Sequence, residues 1–182
     1  MFEMKFTYYP NPILRRKSEP LPLGRDGKPD IEILKLIENM KKVCNIYNGI
    51  GLAAQQVGLV LPVAIIGIPQ GDGYKLTGVV NPKIVEASSV KIAGEEGCLS
   101  FPKLYIQVER PKRIVVEAWF DDTKKFEKRE LFDMGARVAS HETDHLNGIL
   151  FIDRTDEMTK IKIKPNLQKI ADKYSEQEPI DI

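Results

Sequence analysis

Both histidines of this chain fall within one ten-residue stretch, ASHETDHLNG, at positions 139–148. His141 and His145 stand four apart, and Glu142 directly follows the first. Four residues make about one helical turn, so on a helix both imidazoles project from the same face. A helix presents two ligands to a metal ion with this spacing, and a Glu between them is placed to act on water that the metal activates. The stretch also constrains the fold. Met134, Val138, His141 and His145 follow i, i+4, i+7, i+11 spacing. This predicts a helix from about Met134 to Leu146, with its histidine face turned inward. Asp133 is the expected N-cap and Gly148 the stop.

The walls around such a helix are read from strand-like runs and turn signals. Runs at 62–68 and 75–80 flank the turn GDG (71–73), and NPKIVEASSVKIAG (81–94) reads as two more short strands leading to EEGCLS. RIVVEAWF (113–120), DDTKK and FEKREL (126–131) read as a hairpin. An earlier helix begins at Asp30, carries Ile31, Leu34, Ile37 and Met40 to Val43 as its apolar stripe, and stops at Asn48-Gly49. Strands gathered around helices without β-α-β alternation imply an α+β fold, with antiparallel sheets packed around a central helix that carries the HExxH motif. The 182 residues read as a single catalytic domain, 1–182. Residues 1–28 form an extended arm rich in proline and basic residues. Residues 153–182 form a charged tail, in which Pro165 should interrupt any helix.

Lys and Arg minus Asp and Glu is 27 − 26 = +1, so no bulk charge draws the chain to DNA or to a membrane surface. The first residues, MFEMKFTYYPNPILRRK, show no apolar export signal. The longest apolar run, LVLPVAIIGI (59–68), is broken by proline and too short to span a bilayer. With two cysteines, Cys44 and Cys98, a disulfide framework is not indicated, and the expected location is the cytoplasm.

A catalytic metal site of this type keeps three protein ligands and an open position. One metalloprotease pattern places a third histidine six residues past the second, where this chain has Phe151. The third ligand must therefore be a carboxylate or a thiolate. Glu157, Glu176 and Glu178 lie in the tail. Cys98, in EEGCLSFP, is the better candidate: Gly97 permits an unusual backbone, Pro102 ends the segment, and coordination deprotonates a thiol. Cys44 reads as a small buried hydrophobe. Met134 and Val138 lie on the helix face of His141, so they either border the metal cavity or are plain core, and spacing alone favours neither.

GIGLAAQQ (49–56), EGCLS (96–100) and HETDHLNG (141–148) resemble the three ordered motifs of peptide deformylases. YPNPILRRKSEP, NPKI (81–84), the RP at 110–111 and GILFIDR extend the likeness over roughly residues 8–154. The resemblance implies a metal-dependent hydrolase that removes the N-terminal formyl group from the formyl-methionine of newly made polypeptides and releases formate. It implies Cys98, His141 and His145 as metal ligands, and Glu142 as the group that carries the proton. It also implies two donors to the oxygen of the attacked formyl group, the Gln56 side-chain amide and the Leu99 backbone N–H. Ile50 and Gly51 would fold over the site and, with Met134 and Val138, receive the methionine. The family uses iron(II) in cells, while a thiolate with two imidazoles also suits zinc, and nickel or cobalt can occupy such a site. Three features depart from the family's pattern: Gln55 where proline is usual, Ser140 where glutamine is usual, and FPKLY (101–105) where many members carry glycine or arginine.

Two other readings compete. A zinc endopeptidase would share the metal and Glu142. A non-catalytic metal-bearing module could dock on the ribosome near the exit tunnel through the basic run TKIKIKP (159–165), although such a run is more often a solvated face. Retention of both Glu142 and Gln56 favours an enzyme, since neither is needed merely to hold metal.

Overall fold

The computed structural model describes residues 2–174 and 180–181. In chain order the elements are β1 (Lys5–Phe6), a 3₁₀ turn (Pro12–Arg15), α1 (Ile31–Ile46), β2 (Gly51–Ala53), a second 3₁₀ turn (Ala54–Val57), β3 (Val63–Gln70), β4 (Gly73–Ala87) and β5 (Lys91–Cys98). There follow β6 (Phe101–Pro111), β7 (Arg113–Phe120), β8 (Lys125–Phe132), α2 (Asp133–Leu146), a third 3₁₀ turn (Phe151–Arg154), α3 (Glu157–Tyr174) and β9 (Ile180–Asp181). One five-stranded sheet has the order β2-β3-β4-β7-β8, β5 and β6 form a separate hairpin, and β1 pairs with β9. Every pairing is antiparallel. The fold is α+β, as expected. The motif helix α2 packs against β2 and β3 of the large sheet and against β6 of the hairpin.

The predicted β7–β8 hairpin forms, and the two runs that flank GDG pair as well. Gln70 pairs with Gly73 across a two-residue loop in which Gly71 has φ +57°, a conformation that glycine adopts without penalty. β7 and β8 pair from Arg113↔Phe132 to Phe120↔Lys125. The segment after Asn81 is different from the expected short strand. It continues β4 past a register shift at Val80/Lys83, where Asn81 has φ +55° and its side chain pairs with both backbone groups of Leu21. A bulge re-aims a strand without ending it. β6 was not foreseen. Its buried residues alternate as Leu104, Ile106, Val108 and Arg110, with exposed neighbours between them.

In α1 the Asp30 side chain accepts from the Glu32 N–H and caps the helix, one residue before its first turn. Ile31, however, is 60% exposed, because the face that meets β3 and β4 runs through Ile33, Ile37, Met40 and Cys44. α2 starts one residue early. Asp133 is its first residue, with φ +48°, and its N–H donates to Lys112 O. Asp133 is thus not the N-cap. The chain enters the helix directly from β8, leaving Phe132 at that position without a side-chain cap bond.

Pro165 does not interrupt a helix. It lies inside α3, on the exposed side, while Ile163 and Ile170 are buried and Leu167 and Tyr174 pack beside them. A proline in a helix interior costs about 3 kcal/mol. Two buried isoleucines, at about 1.5–3 kcal/mol each, offset that cost. The Asp156 side chain accepts from the Thr159 N–H at the helix start. TKIKIKP is mostly a solvated face, with only Ile163 turned inward. Glu157 is exposed at the start of α3, whereas Glu176 and Glu178 lie outside the described residues. No helix among the described residues is long and apolar enough to cross a membrane.

Candidate metal centre and active site

Cys98 is the last residue of β5, where the hairpin turn to β6 presents its thiol to α2. Cys98 Sγ lies 3.3 Å from His145 Nε2. One donor atom from each of Cys98, His141 and His145 falls within 4.8 Å of the other two. Ligands of a tetrahedral ion with bonds of about 2.0–2.3 Å stand roughly 3.5 Å apart, so the cluster fits such an ion with small adjustment. One thiolate and two imidazoles are donors that iron(II), zinc, nickel and cobalt accept. Cys44 has no part in the cluster. Its thiol donates to Gly49 O, and burial pushes its pKa up to about 12. The ring of Phe151, which stands at the place of the absent third histidine, lies 5.8 Å from the ring of His141.

His141 Nδ1 donates to Glu96 Oε2 at 3.0 Å, which leaves Nε2 for the cluster. Glu96 also accepts from Arg110 Nε and Nη2 at 2.9 and 3.0 Å and from Arg137 Nη1 at 2.7 Å. Arg110 Nη1 reaches on to Asp144, which also takes Arg154. Burial alone would raise the Glu96 pKa, but hydrogen bonds from His141 and Arg110 hold it at about 2. A charged carboxylate behind an imidazole fixes the ring's orientation and makes it a better ligand. Burial, with His141 as neighbour, keeps His145 neutral, its pKa well below the usual value. Glu96, Arg110, Arg137 and Asp144 were not foreseen as parts of the site. Glu96 carried a readable signal, since it stands two residues before Cys98 on the same strand face.

The Glu142 carboxyl is buried, and its Oε2 has no hydrogen-bond partner. Burial pushes its pKa up to about 7, so it can exchange a proton near neutral pH. Gln56 closes the second 3₁₀ turn. Its Oε1 accepts from the Ala53 N–H at 2.8 Å, and its Nε2 donates to Cys98 Sγ at 3.4 Å. The amide is therefore held with its N–H groups toward the cluster.

One cavity of about 530 Å³ gathers these groups. Gln56, Cys98, Leu99, His141 and Glu142 border it, as do Ile50, Gly51, Met134 and Val138. The fully buried His145 does not. Val138 is buried and Met134 is 39% exposed. Tyr8, Tyr47 and Tyr174, from three distant segments, also border the cavity, and Tyr8 stacks on Tyr174 with centroids 4.2 Å apart. Nothing in their local sequence marks them. Gln55 and Ser140 lie off the cavity: Gln55 Nε2 donates to Arg16 O, and Ser140 Oγ donates to Ala136 O one turn back.

The family model for polypeptide deformylase matches residues 3–161. The peptide deformylase of Thermotoga maritima is 36% identical over 168 residues, covering 92% of this chain and 96% of that protein. That of Mesorhizobium japonicum is 35% identical over 163 residues, 89% of each chain. The crystal structure of Arabidopsis thaliana peptide deformylase 1B with an inhibitor superposes with a TM-score of 0.83 at 35% identity, over 95% of this chain and 93% of that one.

Proposed function

Because the chain belongs to the polypeptide deformylase family, we propose how its own residues share the removal of formyl from N-formyl-methionyl polypeptides. The observation that carries the scheme is the unpartnered Glu142 carboxyl on the same cavity as the Cys98–His141–His145 cluster. Those three residues would hold one divalent metal, which when bound polarises the formyl carbonyl and lowers the pKa of water toward neutrality. Glu142 accepts a proton as the water oxygen bonds to the formyl carbon. It then delivers that proton to the methionine nitrogen as the C–N bond breaks, and formate leaves. The formyl oxygen gains charge in between. The Gln56 Nε2 and the Leu99 backbone N–H donate to it, and the Ala53 bond keeps Gln56 oriented beforehand. Trading its long bond to sulfur for one to an oxyanion costs Gln56 little. Ile50, Met134 and Val138 supply an apolar pocket for the methionine side chain, with the thioether-bearing Met134 as its pliable member.

Gly51 sets how closely the backbone passes this pocket. A Cβ there would overlap Glu142 Oε1 and stand 2.9 Å from Glu142 Cδ and 3.0 Å from Val138 Cγ1. Gly51→Ala should therefore shift the carboxyl and lower kcat by about 100-fold, the usual cost of a misplacement near 1 Å, while metal content stays normal. Unchanged turnover would show that Glu142 has room to spare.

We take iron(II) as the working metal. Its activity should then decay in air within a purified sample and last longer after replacement by nickel or cobalt, because the exposed edge of the Cys98 thiolate sits beside an oxidisable ion. Equal lifetimes of the iron form in air and under nitrogen would count against iron. The reaction is tested on protein purified without oxygen, with metal measured on the same sample. Formyl-Met-Ala should lose formate, while an unformylated peptide with an internal cleavable bond should stay intact. Cleavage of the second peptide would point to an endopeptidase.

A further inference from the structure

A second cavity, of about 340 Å³, lies between β6 and α3 and shares Pro102, Lys103 and Tyr174 with the first. Its character is different. Among the described residues, Lys103, Lys169 and Lys173 border it and no carboxylate does. Among the described residues none of these lysines makes an ion pair, and the Lys173 ammonium rests 5.0 Å from the centroid of the Tyr174 ring. Lys103 has φ +62°, a conformation that disfavours every residue with a Cβ, so glycine would be the easier choice. The chain instead places an exposed cation where the two cavities meet. The Tyr8–Tyr174 stack, tilted by only 21°, forms a flat ridge beside that junction.

We propose that the second cavity is a subsite for the residues of the nascent polypeptide beyond the first two, and that Lys103, Lys169 and Lys173 make the enzyme favour acidic side chains there. The proposal rests on the deformylase reading, since that reaction fixes the formylated end at the metal cluster and leaves the rest of the polypeptide to run outward. A substrate that turns past Pro102 meets the three lysines next. They are solvated, so each attraction is small and screened by salt. The groups act far from the reacting carbon, so their contribution is uniform binding and enters KM rather than kcat.

The test compares formyl-Met-Ala-Ala-Glu-Glu with formyl-Met-Ala-Ala-Lys-Lys on the metal-loaded enzyme at low salt. Formyl-Met-Ala, too short to reach the second cavity, reports on the chemistry alone. The acidic peptide should be favoured about tenfold in kcat/KM, through KM, and the ratio should shrink at high salt. In Lys169→Gln/Lys173→Gln the ratio should fall to near unity. In Lys103→Gly, which suits the backbone at that position, it should fall in part. Equal kcat/KM for the two peptides on the unaltered enzyme overturns the proposal. So does a preference that survives in the double variant. Failure to deformylate formyl-Met-Ala would strike at the reaction itself instead.

Discussion

Glu142→Ala should keep its metal and lose about 10²–10⁴-fold in kcat on formyl-Met-Ala, the range that a positioned acid/base contributes. Two separate observations support this expectation. The carboxyl lies beside the three-donor cluster without being one of its donors, so metal content should hold. Its Oε2 is buried without a partner, so removing the group abolishes a burial cost and breaks no bond of that atom. Stability should accordingly hold or rise, and a thermal melt on the assayed sample separates lost chemistry from lost fold. Burial that pushes the pKa up to about 7 also suits a group that must take a proton and give it back in one turnover. An active Glu142→Ala enzyme would remove Glu142 from the mechanism.

Cys98→Ala should lose both metal and turnover, whereas Cys44→Ala should keep both. Losing a residue that merely orients a ligand typically lowers metal affinity 10–100-fold, so loss of a ligand should exceed about 100-fold. The Cys98 variant also deprives Gln56 Nε2 of its sulfur partner, which disturbs the proposed oxyanion donor as well. Cys44 has similar chemistry in a different place, on the buried face of α1 and bonded to Gly49 O. Its variant opens a small hole in the core and should show only reduced stability. Metal analysis of the two purified proteins decides the matter. Stoichiometric metal at normal affinity in the Cys98 variant would refute the ligand set.

The two clustered histidines and Glu142 were legible because helical spacing is a local property: a turn of α2 carries His141 to His145 whatever surrounds it. Cys98 was reached because the site lacked a third donor and the chain offers few. The strands of β3–β4 and β7–β8 were legible from apolar runs and turn residues. β6 carried an alternation, but the proline and lysine at its start hid it behind the look of a loop. α3 was obscured by Pro165, whose cost is met by Ile163 and Ile170 on the buried side of the same helix. Asp133 misled because its N–H is taken by Lys112, a partner from another segment. The Glu96–Arg110–Asp144 chain and the three tyrosines form only when distant segments meet, so no window of sequence displays them.

One feature of α2 bears on how this protein could change over time. Every residue from Gly135 to Leu146 is buried, polar and apolar alike. In α1 exposed positions such as Lys35, Glu38 and Lys42 separate the buried ones, and substitutions there would be tolerated with a helical rhythm. α2 offers no tolerant side. Each replacement along it meets the large sheet, the β5–β6 hairpin or the charged cluster, so evolutionary drift and directed libraries alike should find those twelve positions less forgiving than α1. New substrate preferences enter more easily from the rim, through Met134, the loops and the outer face of α3.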